Sequence, residues 1–90
     1  MKKEDAEKLL KLCNEGCEIY YHLKNDDYNG EIPVSISRYK YYTGDEAITL
    51  FSESDHPRAD IYYPLEADDC HLDDFKVYRQ KVEVRYEKVI

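Results

Sequence analysis

Residues 43–51, TGDEAITLF, decide the fold, because a helix here would put two helices against a small sheet. Thr43 stands where an N-cap belongs, and Glu46 follows at the spacing that lets a glutamate return a hydrogen bond to the cap residue. Ala47, Leu50 and Phe51 then share one stripe. The pattern predicts a short middle helix.

Upstream, Ala6, Leu9, Leu10 and Cys13 recur at helical spacing between Lys2 and Asn14, with lysines and glutamates on the remaining faces. Gly16 is placed to end this N-terminal helix in a left-handed conformation. From Cys17 to Leu23 the period drops to two. Cys17, Ile19, Tyr21 and Leu23 alternate with Glu18, Tyr20 and His22, the signature of a half-buried strand. NDDYNG, residues 25–30, supplies a hairpin turn, and Ile32, Val34 and Ile36 resume the alternation. Beyond Ile36 the same parity runs into Arg38 and Lys40 while Tyr39 and Tyr41 take the other face, which predicts a bulge or a change of environment.

Downstream, residues 59–65 read as a short strand with Ile61, Tyr63 and Leu65 on one face. From Phe75 onward Val82, Val84 and Tyr86 alternate with charged residues, so the C-terminal part reads as strand, with 72–78 open to a helical reading. The predicted order is α-β-β-α-β-β. This is an α+β fold, one domain over residues 1–90, with the N-terminal helix and the short middle helix packed on an antiparallel sheet of about four strands.

The net charge of −7 is unevenly placed. Residues 43–74 hold ten carboxylates against Arg58 alone, a net of −9, while the other 58 residues carry twelve basic and ten acidic side chains. Such a field repels nucleic acid and anionic membrane surfaces and speeds encounter with basic proteins. The apolar runs are far too short for a membrane span and Met1-Lys2-Lys3 opens no signal-peptide core, so a cytoplasmic protein is expected. Three cysteines fit a reducing compartment, with free thiols.

EADDCHLDDF, residues 66–75, packs five carboxylates, Cys70 and His71 together. A zinc site needs paired ligands at set separations, whereas Cys70 and His71 are adjacent and point apart on an extended chain. Asn25, Asp27 and Asn29 followed by Gly30 imitate the first half of a calcium loop, but Ile36 stands where a bidentate glutamate is required. No metal or other cofactor is expected. His22, His56 and His71 lack a context that activates a nucleophile, and no glycine-rich phosphate loop is present, so no catalytic residue is assigned and the chain is read as a non-enzyme.

What remains is an acidic, tyrosine-rich binding surface. The chain has ten tyrosines, several of which must be exposed, and tyrosine gives interfaces a large contact area with few torsions to freeze. Asp68, Asp69, Asp73 and Asp74, supported by Asp55, Asp60 and Glu66, are the candidate steering charges, with Tyr62 and Tyr63 as candidate anchors. Closely spaced carboxylates imitate a phosphate backbone, whose duplex carries about one charge per 1.7 Å. In size, charge and tyrosine content the chain resembles the small acidic phage proteins that block bacterial defence nucleases, the anti-CRISPR and anti-restriction inhibitors. The resemblance implies stoichiometric blocking of a basic nucleic-acid groove and carries over no individual residue. A second reading is an antitoxin- or immunity-like module whose basic partner has no nucleic-acid site. A third is a small metal-dependent enzyme.

Overall fold

A computed structural model of the chain describes residues 1–24, 26–52, 62–81 and 85–90. The N-terminal segment is helix α1, Lys3–Asn14. Glu4 and Asp5 in its first turn and Lys11 in its last complement the helix dipole. Ala6, Leu9 and Leu12 are buried, while Leu10 and Cys13 pack at the margin of the core. The inward stripe is thus rotated to include Leu12. The helix ends as expected: Gly16 has φ 88°, its N–H reaches the Cys13 carbonyl, and the Cys17 N–H reaches that of Leu12. This pair of bonds is a Schellman cap, which relieves two of the helix's unpaired carbonyls.

Six antiparallel strands follow: β1 Glu18–Lys24, β2 Asn29–Lys40, β3 Glu46–Ser52, β4 Tyr62–Pro64, β5 Phe75–Lys81 and β6 Arg85–Lys88. Their order across the sheet is β4-β3-β2-β1-β5-β6. The α+β class holds, with corrections to the element count. The expected middle helix is β3, and where about four strands were expected the described residues form six. Residues 72–74 form only a single 3-10 turn before β5 begins.

The middle helix fails for a local reason and a tertiary one. Gly44, at φ 94°, closes a tight loop in which the Tyr41 N–H reaches the Asp45 carbonyl. Thr43 Oγ1 bonds the Asp45 side chain at 3.3 Å, so the capping-box geometry never forms. In addition, Ile48, Thr49 and Leu50 are consecutive and all buried: Ile48 and Leu50 face the core while Thr49, on the other face, lies under the Tyr41 hydroxyl, an arrangement a strand allows and a one-sided amphipathic helix does not. At the other end, the segment read as strand from Phe75 onward holds two strands, β5 and β6, paired antiparallel. Val82 and Val84 lie outside the described residues, as does Ile61 of the strand expected at 59–65.

No bulge interrupts β2, whose register with β3 runs unbroken from Val34↔Ser52 to Lys40↔Glu46. The environment changes instead. Arg38 leaves the core and pairs with Glu7 of α1 at 3.1 Å. Asn29 and Gly30 begin β2 rather than the turn; the Tyr28 ring lies over Gly30, where an added Cβ would meet its hydroxyl at 3.2 Å.

One face of the sheet holds the core. Ile19 and Leu23 of β1, Ile32, Val34 and Ile36 of β2, Leu50 of β3, and Phe75 and Val77 of β5 join Ala6, Leu9 and Leu12 of the helix in one apolar cluster. Directly opposed residues in antiparallel strands share a face, so the pairs Ile19↔Val34, Ile36↔Leu50 and Ile19↔Val77 fix which side that is. The second face carries no helix among the described residues.

Candidate functional site

The acidic stretch is the crossover between β4 and β5. β4 is an edge strand and β5 pairs with the far side of β1, so residues 65–74 must travel past β3, β2 and β1. They do so on the helix-covered side, because Leu65 and Cys70 are buried in the same cluster as α1 and Leu72 packs against it. Short turns shape the strap: Ala67 N–H to Pro64 carbonyl, Cys70 N–H to Ala67 carbonyl, and Asp74 N–H to His71 carbonyl. The Met1 amino group donates to the carbonyls of Leu65, Ala67 and Cys70 at 2.8, 3.3 and 2.7 Å.

With Leu65, Cys70 and Leu72 turned inward, the acidic side chains between them are left outside. Glu66, Asp68, Asp69 and Asp73 are exposed and Asp74 is half-buried. Three ion pairs occur among the described residues, Arg38–Glu7, Lys76–Glu31 and Arg79–Glu15, and none involves the strap. The five strap carboxylates therefore have no lysine or arginine partner among the described residues. Asp55 and Asp60, the other candidate charges, lie outside them.

The strap's field is felt by the groups beneath it. Burial pushes the Cys70 thiol up to about 11; the N-terminal ammonium opposes the shift, and Asp69 and Asp74 add to it. Burial likewise pushes Tyr21 up to about 12, with Cys70, Asp74, Tyr63 and Asp69 contributing. Tyr21 stacks obliquely on Phe75 at 5.1 Å and on Tyr63 at 6.3 Å. Tyr63 is thus gathered with the acidic strap, 38% exposed at its border.

Tyr62 is on the opposite face. Its strand partner is Phe51, and it joins Tyr39, Tyr41 and Phe51 in an aromatic cluster with centroid separations of 4.9 to 6.4 Å. Tyr41 shares a hydrogen bond with the buried Thr49 hydroxyl at 2.9 Å. Toward the other edge of the same face stand Tyr20, Tyr78 and Tyr86. The two proposed anchors are therefore divided, Tyr63 with the acids and Tyr62 with a tyrosine-rich open face.

Sequence reasoning did not assemble that open face. The one available signal was the polar side of β1, Glu18-x-Tyr20-x-His22, which alternates correctly but does not reveal its neighbours. A pocket of about 410 Å³ also opens at the start of β1, lined in part by the half-buried free thiols of Cys13 and Cys17. Cys13 Sγ accepts a hydrogen bond from the Ile36 N–H at 3.3 Å. Among the described residues no three histidine, cysteine or acidic side chains converge to hold a metal, and no helix is long and apolar enough to cross a membrane. No protein-family model, no curated protein and no solved structure matches this chain.

Proposed function

We propose that this chain acts by binding, without catalysis, and that the 65–74 strap docks on a basic protein surface that otherwise holds DNA or RNA, as on a defence nuclease. The observation that carries this reading is the set of five carboxylates on nine consecutive residues with no basic partner among the described residues. Carboxylates already engaged by lysine or arginine would have little field left to offer a partner. Unpaired ones raise the encounter rate with a basic groove and are recognised there by the same side chains that hold phosphates. Tyr63, at the border of the strap, supplies contact area. Its ring is already packed against Tyr21, so little freedom is lost on binding.

The test is capture from the native source at low salt, followed by competition. The proposal expects a nucleic-acid-binding protein that the chain strips of DNA or RNA at a one-to-one ratio, and expects the variant with Asp68, Asp69, Asp73 and Asp74 all changed to Asn to lose this effect. A partner without a nucleic-acid site, or equal competition by the variant, overturns it.

A further inference from the structure

The open face of the sheet contains a second site, away from the strap. Glu18 and Tyr20 of β1, Glu31 of β2, Tyr78 of β5 and Tyr86 of β6 line a pocket of about 340 Å³. The register brings them together: Glu18 opposes Tyr78, and Tyr86 opposes Gln80, two residues along from Tyr78 on the same face. Tyr20 and Tyr78 meet edge to face with centroids 6.0 Å apart. The Tyr20 hydroxyl donates to Glu18 Oε2 at 3.2 Å and the Tyr86 hydroxyl donates to Oε1 at 3.3 Å. Burial and the neighbouring Glu18 charge both hold the Tyr20 phenol above its ordinary pKa, so the hydroxyl stays a donor.

We infer that this pocket is an aromatic cage for a cation, and that its occupant is an arginine side chain of a partner protein. Three phenol rings, with their electron-rich π systems, and two carboxylates line the pocket, so an anion is repelled and an apolar group would strip water from Glu18 without replacing it. Glu31 is already engaged by Lys76. Glu18 has no lysine or arginine partner among the described residues, and the two phenol hydroxyls leave part of its acceptor capacity open. Lys88, opposite Tyr78, is exposed and does not line the pocket.

Between cations, the donors decide. A guanidinium stacks flat on a tyrosine ring and still directs N–H groups at a carboxylate, whereas a trimethylammonium has no N–H to give and a primary ammonium is more strongly hydrated. Tyr20 and Tyr78 are half-buried and braced against each other, so two walls of the cage exist before the ligand arrives.

The experiment titrates the full chain with a blocked Gly-Arg-Gly peptide while the tyrosine ring signals are followed by NMR. Parallel titrations use the citrulline and trimethyllysine counterparts. The expected result is saturable shifts at Tyr20, Tyr78 and Tyr86, with citrulline weaker by about tenfold or more, the range a cation over aromatic rings beside a carboxylate provides. Glu18→Gln should weaken the arginine peptide about tenfold while leaving the amide spectrum folded. Tyr86→Leu, on an exposed edge strand, should do the same if Tyr78→Leu fails to fold. Equal binding of citrulline, tighter binding of trimethyllysine, or undiminished binding by Glu18→Gln overturns the assignment. Shifts confined to residues 66–74 also overturn it while favouring the acidic strap, so the two sites fail separately.

Discussion

Cys70 pins the acidic strap to the core, and its titration gives a stability change that can be worked out in advance. The thiol is 2% exposed and its pKa is raised from 9.0 to about 11. Between those values the unfolded chain has lost the proton and the folded chain retains it, so the unfolded state binds fewer protons and stability falls as pH rises. The contribution is complete below pH 9 and is lost by the time the folded pKa is passed. Two units at about 1.36 kcal/mol each give a loss of about 2.7 kcal/mol. Tyr21 titrates in an overlapping range and is coupled to Cys70, so the total slope belongs to both groups. The comparison that isolates the thiol is the wild-type chain against Cys70→Ala, each unfolded in urea at intervals from pH 8 to 11. The wild type should lose about 2 to 3 kcal/mol more than the variant over this range. Parallel curves would show that the thiol is not held neutral under the strap, and the described anchoring would be wrong.

Three further outcomes follow from the packing. Leu50→Ala, at a fully buried site on β3, should cost about 2–5 kcal/mol in chemical denaturation, because no neighbour can collapse into a cavity in the middle of a sheet. Gly44→Ala should cost about 1 kcal/mol through its φ of 94° alone, since an added Cβ meets nothing within 4 Å. Changing Asp68, Asp69, Asp73 and Asp74 together to Asn should leave the thermal midpoint unchanged or raise it, since no ion pair with lysine or arginine among the described residues is broken and mutual repulsion is relieved; a large loss would mean that these carboxylates are structural.

The helix and the first two strands were legible because their local signals agree with their tertiary roles. Leu9 and Ala6 fall at helical spacing, Gly16 caps, and Ile19, Leu23, Ile32, Val34 and Ile36 alternate toward one core. β3 was misread because two faces of burial write no alternation: Ile48, Thr49 and Leu50 are all hidden, and the chance Thr43-Glu46 spacing supplied a false cap. The outward placement of the strap acids was legible in composition, but the separation of Tyr62 from Tyr63 depended on recognising β4 as an edge strand paired with Phe51 and Leu50. The tyrosine cage was not legible. Tyr20 and Tyr78 are 58 positions apart, and only the crossover that carries the chain past β3, β2 and β1 sets their strands side by side.

The most direct test of the central claim is the salt dependence of binding between the chain and its captured basic partner, measured for the wild type and for the variant with Asp68, Asp69, Asp73 and Asp74 changed to Asn. If the strap is the docking surface, affinity falls steeply with ionic strength for the wild type, and the variant binds more weakly at low salt with a shallower dependence. Two superimposable salt curves would contradict the account, because they would place the contact somewhere other than residues 65–74.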